Sequence, residues 1–299
     1  MTPIEIAPTV ERAIQSGRPV VALESAVITH GLPREHVGRA VQQQAAACEK
    51  AGGIPAVVAL IDGKLRVGLS SDECDVLAAY EHPAKVSPWN LAAALVSPGF
   101  GGTTVAATIL AADLAGIRVM STGGIGGVHP GANGQDVSAD LNELGRRRVC
   151  VVCAGPKSTL DAAATIERLE TLAVPVIGWR SSLLAGFLTV SAGIRVPVRV
   201  DTIDTLATIV ANHWAMGGAG VVVSQPIAGK LSIPASELTA TGGTSVPGPQ
   251  RTPAELRQLQ ARLGSRVIEA NLAILEANAG LAGSLAVALG EPVAARSRA

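Results

Sequence analysis

The chain has 299 residues, 24 Lys+Arg against 24 Asp+Glu, and therefore no formal net charge. It is 48% hydrophobic but only 2% aromatic, with three Trp, two Phe and one Tyr. Zero net charge removes the electrostatic reason to bind nucleic acid or an anionic membrane, scarce aromatics leave few stacking platforms, and low charge with high aliphatic content excludes general disorder.

Taken in chain order, short apolar runs alternate with Ala-rich stretches, the pattern of an α/β protein whose strands are buried on both faces. The runs predict strands at 19–23, 56–61, 64–69, 117–121, 149–154, 175–179 and 220–224. Helices are predicted at 34–51, 72–79, 104–115, 159–172, 203–216, 254–263 and 267–277. Asp62-Gly63 between two of the strands is a hairpin signal, so the sheet should be mixed and mostly parallel. The expectation is one catalytic domain over 1–299, a three-layer α/β/α sandwich. A Gly-, Pro-, Ser- and Thr-rich excursion over about 229–251 should form a lid or binding loop. The N-terminal stretch lacks the basic flank and apolar core of a signal peptide, and no uninterrupted apolar run approaches ~20 residues, so a cytoplasmic protein without a membrane span is expected. Cys150 and Cys153 form C-x-x-C inside an apolar β-run and read as two buried strand thiols.

Ligands of open α/β sheets collect at the carboxyl ends of strands, and four segments there are unusual. Glu24 directly follows an apolar run; held partly out of water it would suit a general acid, the alternative being a local cap or pair. Gly101-Gly102-Thr103-Thr104 opens a helix whose free N–H groups could cradle a phosphate, or could simply be capped. Gly123, Gly124, Gly126 and Gly127 form a loop that leads to His129, Asp136, Ser138 and Asp140; these acids suit a hard divalent cation, or a solvated acidic turn. Lys157 stands between a strand and a helix whose Ser158-x-x-Asp161 reads as a capping box, where burial and the helix dipole would favour a neutral, nucleophilic amine. Only five lysines occur in the chain, which singles out Lys157 and then Lys85 from generic surface charge.

Together ALESAVITHGLP, GGTTVAATILAADLAGIRV, STGGIGGVHPGA, DVSADLNEL, VVCAGPKSTLD and TLAVPVIGW resemble the pseudouridine-5′-phosphate glycosidase, or indigoidine synthase A, family. The resemblance runs from about residue 18 to 180 and resumes through EANLAILEANA. It implies reversible cleavage of the C–C bond between ribose 5-phosphate and uracil with Mn²⁺, by a homotrimer acting on a small phosphorylated sugar or C-nucleotide. Residue by residue, it implies Glu24 as proton donor, Lys157 as the nucleophile that forms an imine with the ribose, and Asp136 as the metal ligand. Asp140 joins the catalytic set, with Ser138, Ala139 and His129 beside the substrate. Lys85, Thr103, Thr104 and Val105 match the phosphate-binding parts, and Asn271 the residue associated with the base.

The chain also departs from the family pattern. It has Lys85-Val-Ser-Pro-Trp-Asn90 where relatives read K-x-S-R-R-D, Val-His129-Pro130-Gly for V-H-R-G, and Ser224-Gln225-Pro226-Ile-Ala-Gly for N-P-I-P-E-E. Thr252-Pro-Ala254-Glu255-Leu replaces T-P-F-L-L. A changed aglycone is therefore a second expectation, in which the same lysine chemistry runs synthetically and joins ribose 5-phosphate to a larger aromatic acceptor; a third is a catalytically silent ribose-phosphate binder. Trp89 and Trp179 are the nearest stacking candidates by sequence.

Overall fold

The computed structural model describes residues 4–131, 135–238 and 251–290. The first half of the chain runs β1 (Ile4–Ile6), α1 (Pro8–Gln15), β2 (Val20–Leu23), a π-helical turn (Val27–Gly31), α2 (Arg34–Lys50), β3 (Ile54–Ile61), β4 (Lys64–Val67), α3 (Ser71–Ala79), β5 (Ala84–Val86), α4 (Pro88–Ala94), β6 (Phe100–Thr103) and α5 (Val105–Ala115). It continues through β7 (Val119–Ser121), α6 (Ala139–Leu144), β8 (Cys150–Cys153), α7 (Ala162–Thr171), β9 (Val176–Trp179), β10 (Val198–Val200), α8 (Ile203–Ala215), β11 (Val221–Ser224), a 3-10 turn (Gly229–Leu231), α9 (Ala235–Leu238), α10 (Arg251–Leu263) and α11 (Ser265–Gly290).

The strand order is β1-β4-β3-β2-β7-β8-β11-β9-β10, with β6 beside β3 and β5 beside β6. Every pairing is parallel except those of β3 with β4 and β6. β3 is long enough to serve three neighbours: Ile54–Val57 pair in parallel with β2, while Val58–Ile61 pair antiparallel with β4 on one side and Ala59–Ile61 with β6 on the other. The expected hairpin closes at Asp62 and Gly63, both with positive φ (45° and 73°), the backbone of a tight turn whose twist matches its strands.

Alternation within the strands divides the core in two. Val20, Ala22, Val151 and Cys153 face one layer with α1, α5, α6 and α7, whereas Val21, Leu23, Cys150 and Val152 face α2, α3, α8 and α11. This is the expected three-layer α/β/α sandwich with a mixed, mostly parallel sheet. The same alternation puts the two C-x-x-C thiols on opposite faces; both are buried and free, and burial raises both thiol pKa values, Cys153 to about 12.

Sequence patterning missed the short strands β1, β5, β6 and β10, each of three or four residues, and the helices α1, α4, α6 and α9. Gly101–Thr103 belong to β6 and do not open the helix. The helix expected at 267–277 continues to Gly290, because small residues let it run through the core without a polar face. This α11 is long and apolar enough by length and composition to cross a membrane, although Glu269 and Glu276 interrupt its apolar run, and most of it is buried against α2, α8, β2, β7 and β8 as a core helix. Of the lid-like excursion, residues 239–250 lie outside the described residues.

Candidate active site

β2, β7 and β8 are consecutive in the sheet and parallel, so their carboxyl ends lie side by side. This is how Glu24, the Thr122–Gly124 loop and Lys157 come together from distant parts of the chain. The turn to Lys157 depends on Gly155, which has φ 82°; a Cβ there would lie 2.1 Å from the Ala185 carbonyl oxygen. Beyond it Pro156 bridges to Ile125, and the Lys157 N–H donates to the Ile125 carbonyl at 3.0 Å. One expectation is corrected here. Lys157 does not stand at a helix N-terminus, since α7 begins at Ala162 with Asp161 as N-cap, its carboxylate accepting the Ala164 N–H at 2.9 Å. Ser158 donates to the Gly186 carbonyl, so there is no Ser158–Asp161 capping box, and a helix dipole that fades within its first turn does not act on Lys157.

Glu24 is buried, and desolvation raises its carboxyl above the usual range; the nearby Lys157 charge and a hydrogen bond from the Thr122 hydroxyl partly oppose this, as does Lys85, while Asp140 adds to it. Lys85, on β5, is half-buried, and its ammonium is pushed down to about 8, first by desolvation and then by the positive charge of Lys157.

Two connected lobes share Glu24, Ala26, Lys85 and Lys157. The larger, about 290 Å³, is lined by Thr104, Val105, His129, Asp136, Ser138, Ala139 and Asp140, with Ser87 and Trp89 at its side. The smaller, about 60 Å³, is lined by Val27, His30, Gly31, Gly123, Gly124, Phe187 and Asn271. All the sequence-predicted catalytic, metal and substrate-binding residues but one thus line a lobe. The exception is Thr103, fully buried behind the wall: its hydroxyl donates to the Val58 carbonyl at 2.6 Å and its N–H to Ser25 Oγ at 2.9 Å.

Asp140 holds two walls of the larger lobe together. One carboxylate oxygen accepts the Ala106 N–H at 2.8 Å, in the first turn of α5, and the other the Gly126 N–H at 2.7 Å. The Thr104 hydroxyl accepts the Ala107 N–H, so two first-turn donors of α5 already have partners. The helix end therefore binds a carboxylate of its own chain, which corrects the expectation of a cradle of free N–H groups. Gly126 is required by this closeness, because a Cβ would lie 2.2 Å from Ser138 Oγ. His129 and Asp136 face each other across a two-stranded bridge, the His129 N–H donating to the Asp136 carbonyl at 2.9 Å. Among the described residues no group of three His, Cys, Asp or Glu side chains is placed to hold a metal ion.

Trp179 lines neither lobe; Arg180 covers its ring at 5.0 Å, and Trp89 is a 71% exposed residue at the rim. The aromatic side chain in the smaller lobe is Phe187, held at φ 63° with its N–H donating to the Ala154 carbonyl. Sequence reasoning missed Phe187, Thr122 and Asn278. Thr122 was findable from its place between a strand end and paired glycines, and Asn278 from its seven-residue spacing from Asn271 on one helix face. The departure at Asn90 also has a structural role: its side chain accepts the Ser87 N–H and donates to the Lys85 carbonyl, bracing the strand that carries Lys85.

The family model described as indigoidine synthase A like protein matches residues 9–288. The chain is 40% identical over 296 residues to a pseudouridine-5′-phosphate glycosidase of Methylobacterium nodulans, covering 96% of this chain and 88% of that one. It is 42% identical to the protein of the same name from a Nocardioides species, with 92% of each covered. Among solved structures it is similar to an indigoidine synthase A-like protein from Thermotoga maritima (TM-score 0.89, 33% identity, 97% of this chain and 98% of that one covered). It is also similar to the prealnumycin C-glycosynthase AlnA in complex with ribulose 5-phosphate (TM-score 0.87, 32% identity, 99% of both chains covered).

Proposed function

The chain belongs to the indigoidine synthase A-like family, and from that premise we propose that it is a C-glycosidase that reversibly cleaves a ribosyl-5-phosphate C-glycoside, most simply pseudouridine 5′-phosphate and water to uracil and ribose 5-phosphate. The observation that carries this reading is the meeting of Lys157 and Glu24 where the two lobes join. A sugar phosphate in the larger lobe and a flat base in the smaller would put the scissile bond beside both groups.

The chemistry follows from what a C–C bond lacks, a heteroatom leaving group to protonate. In this reading the Lys157 amine attacks the anomeric carbon, and the ring oxygen leaves and takes up the proton that the attacking nitrogen gives up, opening the ribose. The nitrogen lone pair then forms the C=N bond as the C–C bond breaks, and its electrons go to the base carbon, which takes a proton from Glu24. Water hydrolyses the imine, releasing ribose 5-phosphate and the free amine. Desolvation raises the Glu24 carboxyl above the usual range and so favours the protonated form that the step needs. Lys85 and the Thr104 wall would face the phosphate, and Asn271 the base.

A divalent cation such as Mn²⁺ fits this lobe in one mode. With Glu24 protonated and Lys157 the neutral amine that the attack requires, Asp136 and Asp140 outnumber the one charge of Lys85, and a phosphate dianion would add two negative charges. Both Asp140 oxygens accept backbone donors, so Asp136 would be the protein ligand, with water and substrate oxygens filling the remaining positions. When bound, the ion would neutralise charge at the substrate oxygens. The same reading takes 1–299 as one catalytic domain, working as a homotrimer in the cytoplasm, a compartment in keeping with four buried free cysteines.

The similarity to a C-glycosynthase across 99% of the chain favours one second reading, in which the imine of ribose 5-phosphate accepts a larger aromatic carbon nucleophile. Incubation with uracil, ribose 5-phosphate and Mn²⁺ should yield pseudouridine 5′-phosphate under the first reading only. Borohydride should fix ribose 5-phosphate to wild-type protein and to Lys85→Ala, but not to Lys157→Ala. Capture that survives in Lys157→Ala would overturn the nucleophile, and no capture at all would leave a silent binder.

A further inference from the structure

Asn278 lies on α11, 1% exposed, and touches neither lobe. Its side-chain amide reaches the turn after β7, where Nδ2 donates to the Thr122 carbonyl at 2.8 Å and to the Gly123 carbonyl at 3.4 Å. From the same two residues, the Thr122 hydroxyl turns the other way and donates to Glu24, while Gly123 forms part of the smaller lobe. Asn271, two helical turns earlier on the same face, sits against Gly123, where an added Cβ would lie 3.3 Å from its Oδ1. One helix face therefore supports this loop at two points, one inside the lobe and one behind it.

We propose that Asn278 is a positioning residue that holds the Thr122–Gly123 segment so that the Thr122 hydroxyl is presented to Glu24 and the glycine wall of the smaller lobe stays in place. The segment stays tied to β8, the Thr122 N–H donating to the Val152 carbonyl at 3.1 Å and the Gly123 carbonyl accepting the Ala154 N–H at 2.9 Å, while the buried Thr122 carbonyl between them takes its hydrogen bond from Asn278. An asparagine amide supplies that N–H, and at 3.4 Å it adds a second, longer contact to the Gly123 carbonyl. Without it the buried Thr122 carbonyl would lose its donor, and a tilt of that peptide to regain one would take Thr122 Oγ1 away from Glu24.

The inference rests on Glu24 acting as the proton donor of the proposed reaction. The charged groups acting on Glu24 are Lys157, Asp140 and Lys85; His30 lines the same lobe. Thr122 favours the ionised carboxyl, so losing its hydroxyl lets Glu24 keep its proton to higher pH. The alkaline fall in rate should then move upward.

The test compares Asn278→Leu, Thr122→Val and the double variant, reading kcat, KM and the pH profile in the cleavage direction, with borohydride capture of ribose 5-phosphate at Lys157 as the check on folding and sugar binding. Asn278→Leu should retain capture, lower kcat by about tenfold with KM little changed, and move the alkaline limb in the same direction as Thr122→Val; the double variant should be no worse than the poorer single. Losses that multiply, or an alkaline limb that stays at its wild-type position, would overturn the proposal. If Asn278→Leu fails to capture the sugar, Asn278→Ser, smaller and still a donor, is read in the same way and should fall between wild type and Thr122→Val. If wild type itself captures no sugar, it is the lysine-imine reaction that fails.

Discussion

Replacing Asp140 by asparagine separates a chemical role for this residue from a structural one. Its two oxygens accept the Ala106 and Gly126 N–H groups at 2.8 and 2.7 Å, and it is only 5% exposed. Asparagine keeps the shape but offers one oxygen, so its NH₂ must face one of the two backbone donors. One hydrogen bond to a charged group disappears, worth about 1.5–3 kcal/mol, and the survivor loses its charge assistance. A total near 3 kcal/mol is expected, which at about 2–4 °C per kcal/mol for a chain of this size is a fall in Tm of about 6–12 °C. Differential scanning calorimetry reads this directly, and the same samples should show reduced borohydride capture of ribose 5-phosphate, because α5 and the glycine loop are no longer tied together. A variant with Tm within 1 °C of wild type and activity down more than a hundredfold would refute the clamp and make Asp140 a participant in the chemistry.

Further expectations follow from the neighbouring groups. Lys85, with a folded value of about 8, binds a phosphate dianion best below that pH, so KM for the sugar phosphate should rise above pH 8 in wild type and lose that rise in Lys85→Arg, which stays charged. On the stability side the sign is the opposite one. Between about 8 and the ordinary lysine value of 10.5 the unfolded chain holds more protons, so this residue's contribution becomes more favourable as pH rises. Glu24→Gln should lower kcat by about 10²–10⁴ and abolish the alkaline fall in rate while sugar capture at Lys157 persists; an unchanged pH profile would remove Glu24 as the donor. All four cysteines are buried, so iodoacetamide at pH 8 should leave the native protein unlabelled and modify it fully in denaturant, as read by intact mass.

Much of the fold was legible because strand burial and turn chemistry are local properties. The seven apolar runs all became strands, and Asp62-Gly63 turned where its dipeptide said it would. β6 was not legible: its Phe-Gly-Gly-Thr sequence has weak strand preference, and it is a strand because β3 and β5 flank it. Asn278 was missed because the helix expected at 267–277 stops one residue short of it, so its seven-residue spacing from Asn271 was not read as one helix face.

The ionisable groups that line the two lobes, His30 apart, were all named by sequence alone. A carboxyl group after the first buried strand, a rare lysine after another and a glycine loop leading to acids are features of single segments, and they also carried the family resemblance. The tertiary structure decided how these groups act on one another. It set Lys85 rather than a helix dipole beside Lys157, tied Asp140 to two backbone walls, withdrew Thr103 into the core, and replaced Trp179 with Phe187 at the smaller lobe. The reason is range. Strand neighbours are chosen by packing over the whole sheet, so contacts such as Thr122 to Glu24, 98 residues apart, or Asn278 to Thr122, 156 apart, exist only after β2, β7, β8 and α11 have assembled.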